Sequence, residues 1–292
     1  MKASPFIFLA AVVSLTWTSC QKEIGPAINF GTQAVDTTYE AAPEAPTPLR
    51  VLVEEFTGVT CTNCPAGHRT IKNMIDAHPD RISAIGYQPF NIGQANPAPE
   101  TRNDNRTQKG TDVGKSFGGV PGLPSAAFNR VPENGELLQP RPSWAAMLDK
   151  RLQESAPLNM TLTSDFDEDS RELKVVVRIA YTAEVATKHR LTVALTENNL
   201  IDAQEEALSA TEIVTHPDYL HQHVFRDFLT APTGESVLDA LAVKQPGRVY
   251  ERRFSFKMDS KWNAANCTLT AFVHNEDGSQ KNVLQVVDKA LP

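Results

Sequence analysis

Cys61 and Cys64, separated only by Thr62 and Asn63, lie where a short apolar stretch gives way to a helical pattern. Residues 50–56, Arg-Val-Leu-Val-Glu-Glu-Phe, have the composition of a short buried strand, and Gly58-Val59-Thr60 reads as a turn. Pro65 suits a first helical turn, where its missing N–H costs nothing. Ile71, Met74, Ile75 and His78 then keep to one face until Pro79 ends the pattern. Residues 82–87 read as a second strand, so the succession strand, helix, strand predicts a parallel, right-handed crossover. Two thiols at such a junction can close a small-ring disulfide, and the unpaired amides of the helix start favour a thiolate on the first of them. Cys61 is therefore the expected attacking thiol and Cys64 the expected resolving thiol. Glu55, six residues before Cys61, has two readings. It is either a carboxyl that accepts a thiol proton once desolvation raises its pKa, or a strand glutamate facing solvent beside Glu54.

The first twenty residues set the compartment. Lys2 supplies one positive charge, residues 6–15 form an apolar run too short for a lasting membrane helix, and small polar residues lead into Cys20. This is the layout of a secretion signal cut before a cysteine whose diacylation anchors the chain to a membrane. Ordinary signal-peptide cleavage nearby is the alternative. Gln21-Lys22-Glu23 resembles the export signal of surface lipoproteins in Bacteroidota, or else simply begins a solvated tether. Pro26, Pro43, Pro46 and Pro48 among Thr, Ala and Glu make 21–48 linker-like. With Cys20 lipidated, an oxidising compartment holds the pair Cys61/Cys64, expected as a disulfide, and a leftover Cys267. Cys267 opens a strand-like run, which suits a small buried hydrophobe, an exposed thiol being the other reading. A net charge of -7, without any Lys/Arg cluster, offers nothing to a phosphate backbone, so nucleic acid is not an expected partner.

Residues 88–115 contain Pro89, Pro97 and Pro99 in a polar stretch too long for a plain connection, and read as an insertion with some helix in it. The loop Gly118-Gly119-Val120-Pro121-Gly122-Leu123-Pro124 leads into a strand at 125–129. An amphipathic helix over 143–155 then completes an α/β domain. Beyond Pro157 the pattern changes to period two, at 159–166, 172–180, 190–196, 248–257, 268–274 and 283–287, with turn residues at 167–170 and 276–279. An antiparallel β-sandwich is the economical architecture for such strands. Residues 199–245 interrupt it, with a helix expected around 203–210 and a histidine-containing stretch after it. There His216, His221 and His223 accompany Asp218 at a spacing that matches no standard zinc arrangement, so neither a metal nor another cofactor is expected. Phe225, Phe228 and Leu229 read as a core stripe.

The loop Val120-Pro121-Gly122-Leu123-Pro124-Ser125, together with Glu55, resembles thioredoxin-like proteins. These set a cis-proline loop opposite the cysteine pair and carry an acidic residue six positions before the first cysteine. The resemblance implies a cis bond at Pro124, with the Leu123 backbone open to a bound peptide. Thr60, Thr62-Asn63 and Pro65 stand where tryptophan, Gly-Pro and a lysine-like residue are usual.

More narrowly, Glu54-Glu55-Phe56-Thr57-Gly58-Val59-Thr60-Cys61-Thr62-Asn63-Cys64-Pro65-Ala66-Gly67-His68 resembles the signature of the outer membrane protein 28-related family of Bacteroidota lipoproteins. The lipoprotein start, the loop at 120–130 and Tyr219-Leu220-His221-Gln222-His223-Val224 extend that likeness. It implies a protein held in outer-membrane lipid through acylated Cys20, on the periplasmic face or at the cell surface. The expected organisation is α/β plus all-β: signal peptide and lipidation site at 1–20, flexible tether at 21–48, thioredoxin-like domain at 49–156 with its insertion at 88–115, and an Ig-like antiparallel β-sandwich at 157–292. Two functions fit. In one, Cys61, Cys64, Glu55 and Pro124 exchange thiols with a protein partner. In the other, Cys61–Cys64 is a permanent disulfide in a non-catalytic binding or adhesion module that meets a surface ligand.

Overall fold

The computed structural model describes residues 35–276 and 281–291. The expected signal peptide, Cys20 and the first part of the expected tether lie outside these residues. Strand β1 (Val35–Glu40) precedes the crossover, which consists of β2 (Val51–Phe56), helix α1 (Cys64–Ala77) and β3 (Ile82–Tyr87). β2 and β3 pair in parallel from Val51 opposite Ile82 to Phe56 opposite Tyr87, and every residue of both strands is buried. A strand covered on both faces reads as a continuous apolar run, which is why these two were legible without any alternation. Helix α2 (Gln108–Ser116), strands β4 (Ser125–Phe128) and β5 (Gln139–Pro140), and helix α3 (Trp144–Leu152) follow. β4 runs antiparallel to β2 and β5 antiparallel to β4, giving the local order β3-β2-β4-β5. Ile71 and Met74 of α1 and Trp144, Met147 and Leu148 of α3 pack on Val51, Val53 and Phe128. Leu52, Phe56, Ile85 and Tyr87 face Val113 and Phe117 of the α2 segment on the other side.

The second half adds β6 (Leu158–Asp167), β7 (Glu172–Tyr181), β8 (His189–Glu197), β9 (Leu200–Ala207), β10 (Ile213–His221), β11 (Val224–Phe228), β12 (Glu235–Val237), β13 (Arg248–Lys257), β14 (Cys267–Asn275) and β15 (Val283–Ala290). A four-stranded sheet has the order β1-β13-β7-β6. Its inward residues, among them Leu158, Val175, Val177 and Ile179, share one core with Leu191, Val193, Leu269 and Ala271 of β8 and β14. Two sheets therefore face each other across a common apolar layer, the arrangement that alternating strands require. The second sheet does not stop at the edge of that sandwich. It runs β15-β14-β8-β11-β3-β2-β4-β5, with β12 beside β8, so strands from before and after position 157 belong to one sheet. β11 is the joint, antiparallel to β8 and parallel to β3 through Val224 opposite Gly86.

Three expectations change. The helix expected around 203–210 is instead strand β9, paired with β10 as a hairpin. Asp202, Ala203 and Gln204 are buried there, and backbone bonds to a distant loop outweigh the local helix preference of an Ala-Gln-Glu-Glu-Ala run. The end of the expected tether is structured, since β1 pairs with β13 and the Thr47 N–H and hydroxyl both donate to Asn159 Oδ1. Neither Glu54 nor Glu55 faces solvent. Glu54 accepts two hydrogen bonds from Arg130, at 2.7 and 2.8 Å, and one from the Tyr87 hydroxyl. The Arg130 guanidinium lies over the rings of Phe117 and Phe272 at 5.2 and 4.7 Å. Among the described residues no helix is long and apolar enough to cross a membrane.

Candidate functional site

Cys64 is the first residue of α1, and Cys61 ends the turn before it. The two are joined as a disulfide with their Cα atoms 5.4 Å apart. Both cysteines have 0% exposure. Two segments far away in sequence close over them. From the insertion, Gln94 offers its carbonyl to the Thr60 N–H at 3.1 Å, and Gly58 fits so tightly that a Cβ there would lie 2.3 Å from the same oxygen. From the hairpin, the Glu205 and Ala207 N–H groups donate to the Val59 and Thr62 carbonyls, each at 2.9 Å. The Gln204 side-chain amide is shared among the carbonyls of Gly58, Val59 and Cys61 at 3.0–3.2 Å. Val59, Ala98 and Ala203 fill the seam between loop, insertion and hairpin. Asp202 accepts from the backbone N–H groups of Arg102 and Asn103, and Glu206 pairs with Arg69 on α1 at 2.7 Å, so the hairpin is fastened on both sides.

Glu55, on β2, lies beneath α1 beside His68. Its carboxyl is 6% exposed, Oε1 has no hydrogen-bond partner, and burial pushes its pKa well above the usual carboxylate range. A Cβ on Gly67 would come within 2.8 Å of Glu55 Oε1 and 3.1 Å of Pro124 Cβ, so a glycine on α1 lets both approach the cysteine-bearing helix. The Leu123–Pro124 peptide bond is cis. His68, one turn beyond Cys64, bonds Thr57 Oγ1 at 2.7 Å and the Tyr219 hydroxyl at 2.9 Å, and stands 3.9 Å from Glu55 Oε2. Desolvation, followed by the neighbouring His221, His223 and Arg69, pushes His68 down to about 3, so its imidazole is neutral. A cavity of about 350 Å³ opens between α1 and β10, with Glu55 and His68 in its lining.

The structure thus brings Cys61, Cys64, Glu55 and Pro124 around α1, while Cys20 lies outside the described residues. His68 carries a sequence signal of its own, four positions after Cys64 on the same helix. Gln204 carries none, because its partners lie more than 140 residues away. Within the hairpin, His216 meets Glu206 at 2.9 Å, His221 bonds the Ala203 carbonyl, and Asp218 pairs with Arg102. Among the described residues no group of three His, Cys, Asp or Glu side chains converges on a point where a metal could sit. Cys267 is buried, donates its S–H to the Asn263 carbonyl, and burial raises its pKa to about 12.

The fold is similar to that of HBP35 of Porphyromonas gingivalis, with a TM-score of 0.63 at 19% identity, over 85% of this chain and 77% of that one. At that identity the likeness concerns the fold alone. An Agrobacterium tumefaciens protein aligns at 12% identity and a TM-score of 0.46, over 84% of this chain and 95% of that one. No curated protein matches the chain. The family model of the outer membrane protein Omp28 matches residues 114–292, which include the cis-proline loop, the hairpin and the sandwich but not the cysteine pair. That match spans well over half of the sequence, and the chain belongs to the Omp28 outer membrane protein family.

Proposed function

We propose that this is an outer-membrane lipoprotein anchored through Cys20, acting as a non-catalytic binding module of the cell envelope in which Cys61–Cys64 is a structural disulfide. The observation that carries this reading is the complete burial of both cysteines beneath the hairpin and the insertion. Thiol exchange begins with in-line approach of a thiolate to a sulfur, and no partner reaches one here without lifting a strap held by backbone bonds and Gln204. The family name points to the outer membrane, and the apolar run ending at Cys20 supports a lipid anchor. We assign residues 49–156 to a thioredoxin-like unit and 157–292 to an Ig-like sandwich. Support for the first comes from the order β3-β2-β4-β5, the cysteine pair at the start of α1, and the cis bond before Pro124. Support for the second comes from the core shared by two facing sheets.

Thiol exchange is the second reading, favoured by Glu55. A buried, unpartnered carboxyl beside the cysteine-bearing helix suits a proton acceptor for an emerging thiol. In that reading an external dithiol first reduces the pair and is itself oxidised to a disulfide. The Cys61 thiolate then attacks a partner disulfide and expels a partner thiolate, and Cys64 displaces the second partner sulfur as the pair reoxidises. The full chain with Cys64→Ala, expressed in the envelope, separates the two. A structural disulfide leaves Cys61 unadducted, and the wild-type pair resists dithiothreitol while the chain is folded. Partners recovered on Cys61 as mixed disulfides would overturn the structural reading.

A further inference from the structure

The cavity between α1 and β10 is not lined by either sulfur, and although Glu55 lies in it, neither reading above assigns the cavity a ligand. Its walls are apolar, made by Ile71 and Ile75 of the helix and by Leu220 and the Tyr219 ring of the hairpin. Its volume of about 350 Å³ is at the small end of ligand pockets. The deep end is polar, and burial disfavours the charged form of each of its titratable groups. Burial favours the protonated Glu55 carboxyl, His68 is held neutral with a pKa of about 3, burial also lowers His223, and it raises Tyr219 to about 12. The charges at the mouth cancel in pairs, Arg69 with Glu206 at 2.7 Å and Lys72 with Asp76 at 2.5 Å. His68 has both ring nitrogens occupied by Thr57 and Tyr219. Glu55 does not: its carboxyl lines the cavity, more than nine-tenths buried, and makes no hydrogen bond.

We propose that this cavity binds a small aliphatic molecule with an uncharged hydrogen-bonding head, a primary amide or an alcohol, with the head on Glu55 and the chain along Ile71, Ile75 and Leu220. A buried polar group without a partner is costly, and an amide or hydroxyl entering from solvent relieves that cost by donating to the carboxyl. A charged head is excluded because it would lose its hydration in a space with no opposite fixed charge. The apolar walls accept a short methylene chain for the usual hydrophobic gain.

The test titrates the isotope-labelled Cys20→Ser chain with hexanamide, hexan-1-ol, hexane, hexylammonium and hexanoate, following backbone amide resonances. Hexanamide and hexanol are expected to shift resonances of α1 and β10 saturably. The two ions are expected to bind at least roughly tenfold more weakly. Leu220→Trp, at a half-exposed position on the cavity wall, is expected to abolish the shifts, and Glu55→Leu to erase the preference of hexanamide over hexane. The comparison of heads on the wild-type chain stands even if a variant fails to fold. Absence of saturable shifts, tighter binding of either ion, or shifts that persist unchanged in Leu220→Trp would overturn the proposal. None of these outcomes bears on the mixed-disulfide experiment, so the two ideas fail separately.

Discussion

A carboxyl and a set of imidazoles, all buried, give this protein opposing responses to pH. Glu55 has its pKa raised by burial, so above its ordinary value of 4.5 the unfolded chain has released a proton that the folded chain still holds. Stability then falls as pH rises from there to the raised value, by up to about 1.4 kcal/mol per pH unit, and is fully present only below the ordinary value. Glu55→Leu removes that slope. Thermal denaturation is expected to show the variant gaining on the wild type as pH rises above the ordinary carboxylate value of 4.5. Burial acts the other way on His68 and His274, each lowered to about 3, and on His189, lowered to about 4. These histidines stabilise the fold above 6.5 and lose that contribution as pH falls toward their folded values. In the window from 4.5 to 6.5 these imidazoles, with His221 and His223 also lowered by burial, outnumber the one carboxyl, so acidification wins as a destabiliser. The denaturant midpoint is expected to be lower at about pH 5 than at about pH 7.5.

At the level of elements, the hairpin of β9 and β10 decides what the disulfide can do. A ring closed between residues three apart constrains little chain, so removing it with Cys61→Ala and Cys64→Ala together is expected to cost only about 2 kcal/mol. Global stability is therefore a weak reason for the bond to exist, and its effect is local, at the start of α1. The strap matters more for access. Gln204→Ala removes the amide that three carbonyls of the cysteine loop share, at an expected cost of about 1–3 kcal/mol. If the loss falls on local opening, the rate at which dithiothreitol reduces the pair rises about tenfold for each 1.4 kcal/mol, measured by alkylation and mass spectrometry. Reduction that is already fast in the wild type would mean that the hairpin lifts freely and would favour thiol exchange over a structural disulfide.

At the scale of the whole molecule, the shared sheet turns two sequence patterns into one body, and the Glu54–Arg130 pair sits at the seam. Arg130 reaches from beyond β4 to Glu54 on β2 while lying over Phe272 of β14, so one guanidinium touches both halves. Arg130→Met alone strands a buried carboxylate and is expected to cost about 3–5 kcal/mol. Replacing both residues with Glu54→Leu and Arg130→Met is expected to recover much of that loss in a denaturation cycle. The strand, helix and strand around the cysteines and the period-two strands beyond position 157 were legible in the sequence, because each leaves a local signature of burial along a few residues. The strand nature of 200–207, the burial of Glu54 and the enclosure of the sulfurs were not. They depend on partners such as Val59 and Thr62 for β9, and Arg130 for Glu54, that no local pattern encodes. By itself the sequence determined where the cysteine pair sits, at the mouth of a helix after a buried strand. Only the tertiary structure decided that the pair is closed to solvent, because the hydrogen bonds that close it come from a hairpin more than 140 residues away.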